Sequence, residues 1–412
     1  MALLKLSEKN KSIADKSILF LFLFFPISLI SGNLLANVSI ILIGLIYFLT
    51  NFNMSLFKNK TFIILSLFFL SLIINLFFSQ NIELSYQRVL KFFFIIFFIL
   101  SFKYLIDLNK SYEKIIYKTW FFIIFIFVLD LLIEFYFGKN LIGMKSYMPG
   151  RLAGLFGDEL VAGYFYFGFV FFAFSYLYKK YHSKKLVILG LYFFIIFISL
   201  IIGERSNLIK LSLGISILIL IIFELNIFKK LIYLFLIFII SLIFITSNHN
   251  YKVRYYDQIK IIFQTDGFDS YLKSSEYGAH YNTAYKMFEQ NKIFGVGIKN
   301  YRVETFKDRY RSDEYFWSKT SVKTHPHQIH FELLAETGLF GYGMFVVFIF
   351  YSIFVSIKNF LRFRNLYQLS AILFILMSLI PYLPSGSFFS SFNSSIFWLN
   401  YAVMMGYINK KS

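Results

Sequence analysis

Four of the chain's six histidines fall in one polar stretch, at His280, His325, His327 and His330. Three of them crowd into Thr324-His325-Pro326-His327-Gln328-Ile329-His330. Imidazole titrates near neutral pH, so a histidine here can take a proton from an alcohol. Three imidazoles can also hold zinc. Against zinc, His327 and His330 stand one helical turn apart, Pro326 makes His325 extended, and no fixed-spacing zinc signature is present. The same residues can also be surface histidines or caps at a helix start. Type and spacing leave base, metal ligand and cap all open.

Two arginines are the other candidates. Arg205 sits in Ile-Gly-Glu204-Arg205-Ser206-Asn207, between two closely spaced apolar runs. An ionisable pair at membrane depth is costly and points to function, although an interfacial pair at a turn satisfies the same pattern. Arg151 lies in Met148-Pro149-Gly150-Arg151-Leu152-Ala153-Gly154-Leu155-Phe156-Gly157-Asp158-Glu159. Guanidinium binds phosphate oxygens bidentately, so these cations suit a lipid-linked phosphate or diphosphate; anionic lipid headgroups suit them as well. The Lys and Arg run over 299–323, mixed with Asp308, Asp313 and Glu314, reads as a solvated face.

The elements that must position these residues are membrane helices. Hydrophobic residues make up 58% of the 412-residue chain, charged residues 15%, and phenylalanine alone takes 58 positions. A soluble core could not hide so much apolar surface, whereas a bilayer solvates it. The net charge of +19 would suggest nucleic acid in a soluble protein. Here the lysines fall in short loops between apolar runs, so no nucleic-acid partner is expected. The absence of cysteine excludes disulfides and thiolate metal sites. The polar, basic start precedes an apolar run without a small-residue cleavage site, so the first span is expected to stay as an anchor.

At roughly 20 apolar residues per crossing, about twelve spans are expected. They fall at 17–32, 34–50, 62–78, 89–106, 119–137, 159–178, 186–203, 207–224, 229–247, 339–357, 367–384 and 391–408. Alternate connections carry Lys5, Lys9, Lys11 and Lys16, then Lys58 and Lys60, then Lys103, Lys110, Lys114 and Lys118. The series continues with Lys179, Lys180, Lys184 and Lys185, Lys229 and Lys230, Lys358, Arg362 and Arg364, and ends at Lys410 and Lys411. The intervening connections are poor in cations, which predicts both chain ends in the cytoplasm. The one large polar insertion, 248–338, is then extracytoplasmic and embedded in a single membrane domain spanning 1–412. Within it, one amphipathic helix is expected with Tyr281, Ala284, Tyr285 and Phe288 on one face. A second carries Ile329, Leu333 and Leu334, ends at Gly338, and leads into the tenth span.

Three segments together carry a resemblance: Gly295-Val296-Gly297-Ile298-Lys299-Asn300-Tyr301, then His325-Pro326-His327-Gln328, then Leu333-Leu334-Ala335-Glu336-Thr337-Gly338-Leu339-Phe340-Gly341. They closely resemble the O-antigen ligase and O-antigen polymerase superfamily. Its ligase signature is His followed by Asn, Ser or Gln, nine residues, Gly, two residues and Gly. His327-Gln328, residues 329–337, Gly338 and Gly341 satisfy it. The resemblance extends over nearly the whole chain and implies an all-α, GT-C-like inner-membrane enzyme with a helical periplasmic loop between its ninth and tenth spans. By the same resemblance His327 is the base that activates the acceptor hydroxyl, and Arg205 grips undecaprenyl diphosphate. Arg151 stands in the corresponding stretch before the sixth span, and His325, Gln328, Glu336, Gly338 and Gly341 belong to the signature. Where the family carries a second loop arginine this chain has His280, a departure that Arg254 or Arg302 could make good. The resemblance also implies metal-independent inverting transfer without a cofactor, from an undecaprenyl-diphosphate-linked glycan to lipid A-core. A polymerase, a protein O-oligosaccharyltransferase or a non-catalytic transporter are the alternatives.

Overall fold

The computed structural model describes residues 8–157, 159–264, 267–320 and 323–408; Lys5, Asp158, Lys410 and Lys411 lie outside them. The described chain is helical throughout, with no strand among those residues. In order it runs α1 (Glu8–Leu23), α2 (Phe25–Ile30), α3 (Asn33–Asn51), α4 (Lys60–Phe77), α5 (Ile82–Leu108) and α6 (Lys110–Phe137). Next come α7 (Ala162–Tyr181), α8 (Lys185–Ile202), α9 (Arg205–Ile222) and α10 (Ile227–Ser247). The large insertion forms α11 (His249–Tyr251), a π-helical turn over Lys252–Asp257, α12 (Gln258–Gln264), α13 (Phe268–Ser274), α14 (Glu276–Gln290) and α15 (Tyr301–Glu304). Then α16 (Ile329–Phe363), α17 (Leu366–Ser378) and α18 (Ser391–Gly406) close the chain.

Local chemistry sets many of the boundaries. Asparagine side chains cap helix starts: Asn59 accepts from Thr61 N at 2.9 Å, Asn81 from Glu83 N at 3.1 Å, Asn109 from Ser111 N at 2.9 Å, and Asn365 from Tyr367 N at 2.9 Å. Each satisfies amide donors that a helix leaves without an internal partner.

Among the described residues eight helices are long and apolar enough to cross a membrane: α3, α4, α5, α6, α8, α9, α10 and α16. The remaining expected spans fall on α1 with α2, on α7, and on the short α17 and α18. Helix α5 is the centre of the bundle, packing on α3, α4 and α18. Small polar side chains join the apolar helices: Ser352 Oγ lies 2.7 Å from Tyr401 OH, and Asn359 donates to Gln368 Oε1 at 2.8 Å. In a bilayer such contacts supply cohesion that apolar burial between helices cannot.

The insertion packs at one end of this bundle and has a small core of its own, built by Ala284, Met287, Val296, Tyr301, Tyr310 and Ala335. The amphipathic face expected on α14 is rotated. His280, Tyr281, Ala284 and Met287 are buried, whereas Tyr285 is exposed, its phenol being compatible with water.

Candidate functional site

The histidine motif is held by two pieces of backbone chemistry. Gln328 is the N-cap of α16, its Oε1 accepting from His330 N at 2.6 Å and Phe331 N at 3.1 Å. An Asn, Ser or Gln after the histidine is therefore a cap, which explains a signature position by helix chemistry. Nine residues of helix later, Gly338 (φ 63°) breaks the α16 ladder. The freed groups pair with residues 292–297: Val296 N to Ala335 O at 2.9 Å, Gly297 N to Glu336 O at 2.9 Å, Leu339 N to Lys292 O at 2.8 Å and Phe340 N to Ile293 O at 3.0 Å. A Cβ on Gly338 would stand 2.4 Å from Ile293 O, and one on Gly295 2.5 Å from the Glu336 carbonyl carbon. Glu336, fully buried, fastens the same junction by accepting from Lys299 N at 2.8 Å and Tyr301 N at 3.3 Å. The Gly-x-Gly segment and the glycine end of the signature thus form one clasp. Gly341 lies past it, where a Cβ would stand 2.4 Å from Thr337 Cβ.

His327 itself is in the left-handed region (φ 57°), sparsely populated by non-glycine residues and a mark of a constrained position. Its carbonyl accepts from Ser385 N at 2.7 Å. Its ring lies 4.1 Å from that of His325, 5.7 Å from that of His280 and 5.7 Å from that of Tyr277, centroid to centroid. Burial holds all three imidazoles neutral: His327 is lowered to about 4, with Lys323 reinforcing and Glu276 opposing. His280 is lowered to about 4 by burial and then by His327. His325 is lowered to about 2 by burial, then His327 and Lys299. His330 points elsewhere, Nε2 to Leu379 O at 2.8 Å and Nδ1 to Tyr342 OH at 3.1 Å. Among the described residues no group of three or more His, Asp or Glu is arranged to hold a metal ion.

The arginines gather in a second place. Arg151 donates from Nη2 to Leu160 O at 2.6 Å and pairs with Glu204 Oε1 at 2.9 Å. Arg205 lines an open cavity of about 230 Å³ with Pro149, His249, Asn250, Val253 and Arg254. That is room for several waters or a diphosphate, since a water occupies about 30 Å³. Arg254 donates from Nε to Gly203 O and from Nη1 to Met148 Sδ at 3.4 Å. Its pKa is lowered to about 10 by burial, then by Arg151 and Arg205, so it stays charged at neutral pH. Three guanidiniums in one neighbourhood repel one another and favour an anion between them. Of the residues weighed as donor contacts, Arg151 and Arg205 are thus brought together and joined by Arg254, while His280 is packed against His327.

One segment links the two places. Ser206 Oγ and Lys210 Nζ (2.8 Å) both donate to Pro384 O, and the next residue, Ser385, is the one bonded to His327 O. Two residues on, Ser387 Oγ donates to Glu332 Oε1 at 2.5 Å and accepts from Lys299 Nζ at 2.8 Å. Lys299, expected on a solvated face, is buried; most of the remaining 299–323 cations are exposed and pair with Glu304, Asp308 and Asp313. Glu332 was not singled out in the sequence because its partner, Ser387, stands 55 residues away and leaves no local signal.

Residues 190–346 match a family model described as O-antigen ligase. That segment holds Arg205, Arg254, the histidine cluster and the glycine clasp, with Arg151 ahead of it. No curated protein gives a significant match to the chain.

Proposed function

We propose, from the match of residues 190–346 to a family model described as O-antigen ligase, that the chain is a GT-C-like membrane glycosyltransferase with His327 as its base. The donor is a glycan on undecaprenyl diphosphate and the acceptor a sugar hydroxyl of lipid A-core, joined at the periplasmic face of the inner membrane. Arg205, Arg254 and Arg151 hold the diphosphate, and the Phe-rich spans accommodate the polyprenyl tail. The observation that carries the reading is the pairing of one half-buried neutral imidazole, His327, with a cavity lined by Arg205 and Arg254, bridged by residues 384–385.

The step is a single displacement. His327 takes the proton of the acceptor hydroxyl as its oxygen bonds the anomeric carbon. The bond from that carbon to the diphosphate oxygen breaks, and its electron pair leaves on the diphosphate. The guanidinium charges stabilise that leaving group, so the proposed step inverts configuration and needs no metal ion. His280 and His325 position His327 by crowding its ring.

The test is complementation. Deleting the gene in its native host should remove the polysaccharide ladder from lipopolysaccharide, and restoring the wild type should bring it back. Restoring His327→Ala should not, since loss of a general base costs roughly a hundred- to ten-thousandfold in rate. Core bearing a single repeat in the deletion would assign a polymerase instead. Unaltered lipopolysaccharide would reject transfer to this acceptor.

A further inference from the structure

A second group of cations lies away from the Arg205 cavity, at the start of α5. Ser85 Oγ donates to Ile298 O at 2.7 Å, and Asn300 Nδ2 donates to Ser85 Oγ at 3.0 Å and to Asn81 O at 3.1 Å. These bonds bolt α15, which carries Arg302, to the first turn of α5. Arg88 lies about one turn on from Ser85, and Lys91 about one turn on from Arg88. Both have only neutral partners: Arg88 Nη1 donates to Ser391 Oγ at 3.2 Å, and Lys91 Nζ to Asn37 Oδ1 at 2.5 Å. Asn37 Nδ2 in turn donates to the same Ser391 Oγ at 2.8 Å. The buried Lys299 is answered by Glu332 and Glu336, but Arg88, Lys91 and Arg302 have no carboxylate within ion-pair distance among the described residues. Arg88 and Lys91 are half-buried and buried at the beginning of a membrane helix, where cations are costly unless something answers their charge, whereas Arg302 is exposed. Burial chiefly, with Arg88 and Arg302 adding to it, depresses the ammonium of Lys299, which agrees with their crowding.

We propose that Arg88, Lys91 and Arg302 form a second anion site, one that takes a phosphate group carried by the acceptor molecule. The inference rests on the glycosyl-transfer reading above. Its argument is the order of contacts along 384–391. Pro384 is bonded to Ser206 and Lys210 beside Arg205, Ser385 to His327, Ser387 to Lys299, and Ser391 to Arg88. One short segment therefore passes from the donor cations, by the base, to the second cations. Its length limits the distance from Pro384 to Ser391 to about 25 Å. In a displacement the nucleophile arrives from the side away from the leaving group. Charges beyond the base, as counted from the donor diphosphate, accordingly face the molecule that brings the hydroxyl. His325 stands between, with Nε2 buried and without a hydrogen-bond partner among the described residues.

The experiment uses the full chain in nanodiscs. Transfer is measured to lipid A-core and to the same acceptor after phosphatase treatment, and acceptor binding without donor is followed by native mass spectrometry. Arg88→Gln and Arg302→Gln should each raise acceptor KM about tenfold, the size of one charge-assisted contact, with donor KM unchanged. Arg88→Lys should recover part of the loss. Dephosphorylation should cost the wild type as much and make these variants indistinguishable from it. Arg205→Gln, by contrast, should raise donor KM and leave acceptor binding intact. Equal use of both acceptors by the wild type overturns the proposal, as does a rise in donor KM in Arg302→Gln. Retention of phosphatidylglycerol by the wild type but not by the variants, with no response to acceptor phosphate, assigns the site to a membrane headgroup and also overturns it. If the wild type transfers nothing, the failure belongs to the glycosyl-transfer reading. Acceptor binding that depends on both its phosphate and Arg88 then still supports this site.

Discussion

At the residue scale the informative group is an imidazole held below its usual range. His327, lowered to about 4 by burial, is neutral throughout the physiological range. A base must be deprotonated to act, so transfer should persist well below the ordinary histidine range and fall only as pH drops through about 4. A kcat/KM profile with its acidic limb near the unperturbed value of about 6.5 would remove His327 from the role of base. Stability follows the same shift. Between the unfolded value of about 6.5 and the folded value the unfolded chain binds more protons. The fold therefore weakens as pH falls through that window and not above it, which thermal unfolding in detergent at stepped pH measures. Gln328 yields a second prediction. Removing its cap in Gln328→Ala should cost about 1 kcal/mol, whereas Gln328→Asn keeps an acceptor and should cost less. Thermal unfolding of the two variants side by side separates them. Histidine and glutamine were both legible because their meaning lies in local spacing. Arg254 was legible only as a substitute, since its partners, Gly203 and Met148, stand far away in the chain.

At the scale of elements, the clasp between residues 292–297 and 335–340 decides where the histidine motif sits. Gly338→Ala should be severe for two separate reasons: a left-handed φ of 63° and a Cβ 2.4 Å from Ile293 O. Such backbone conformations cost of order 1–3 kcal/mol per residue, and the overlap adds to that. Reduced yield of folded protein and a lower unfolding temperature are expected, with His327 still present but misplaced. Gly343→Ala, where a Cβ meets nothing within 4 Å, is the matched control and should behave as wild type. The sequence marked Gly338 as a helix end because glycine there interrupts an apolar period. It did not reveal that the interruption exists to pair with the Gly-x-Gly segment, since hydrogen bonds between distant backbones leave no trace in residue type. The rotated face of α14 has a similar cause: Tyr285 fits the apolar period, but only packing against α16 decides which side is buried.

At the scale of the whole molecule, helix contacts fix which ends lie together before any membrane is considered. The Ile82 end of α5 meets residues 298–300 of the insertion, through Ser85 and Ile298 at 2.7 Å. Its Leu108 end therefore faces away. There Lys103 Nζ donates to Ile408 O at 2.8 Å, and Tyr104 OH donates to Asp15 Oδ1 at 3.0 Å. The beginning and the end of the described chain thus share the end opposite the insertion. Lys179 joins them, 3.8 Å from Glu113 at the start of α6. An even number of crossings is required by that arrangement, and the cation-rich connections were legible as a set because they repeat on alternate turns. The number of spans was harder to read. Helix α17 has 13 residues and carries Gln368, fully buried and bonded to Asn359, so length and apolarity understate its place in the bundle. Excess lysine at the end bearing both termini predicts that this end is cytoplasmic. Green fluorescent protein fused to either terminus should fluoresce, and alkaline phosphatase inserted at Arg311–Ser312 should be active while an insertion at Lys184 is not. The reverse pattern would put His327 on the cytoplasmic side, where a donor presented at the outer leaflet could not reach it.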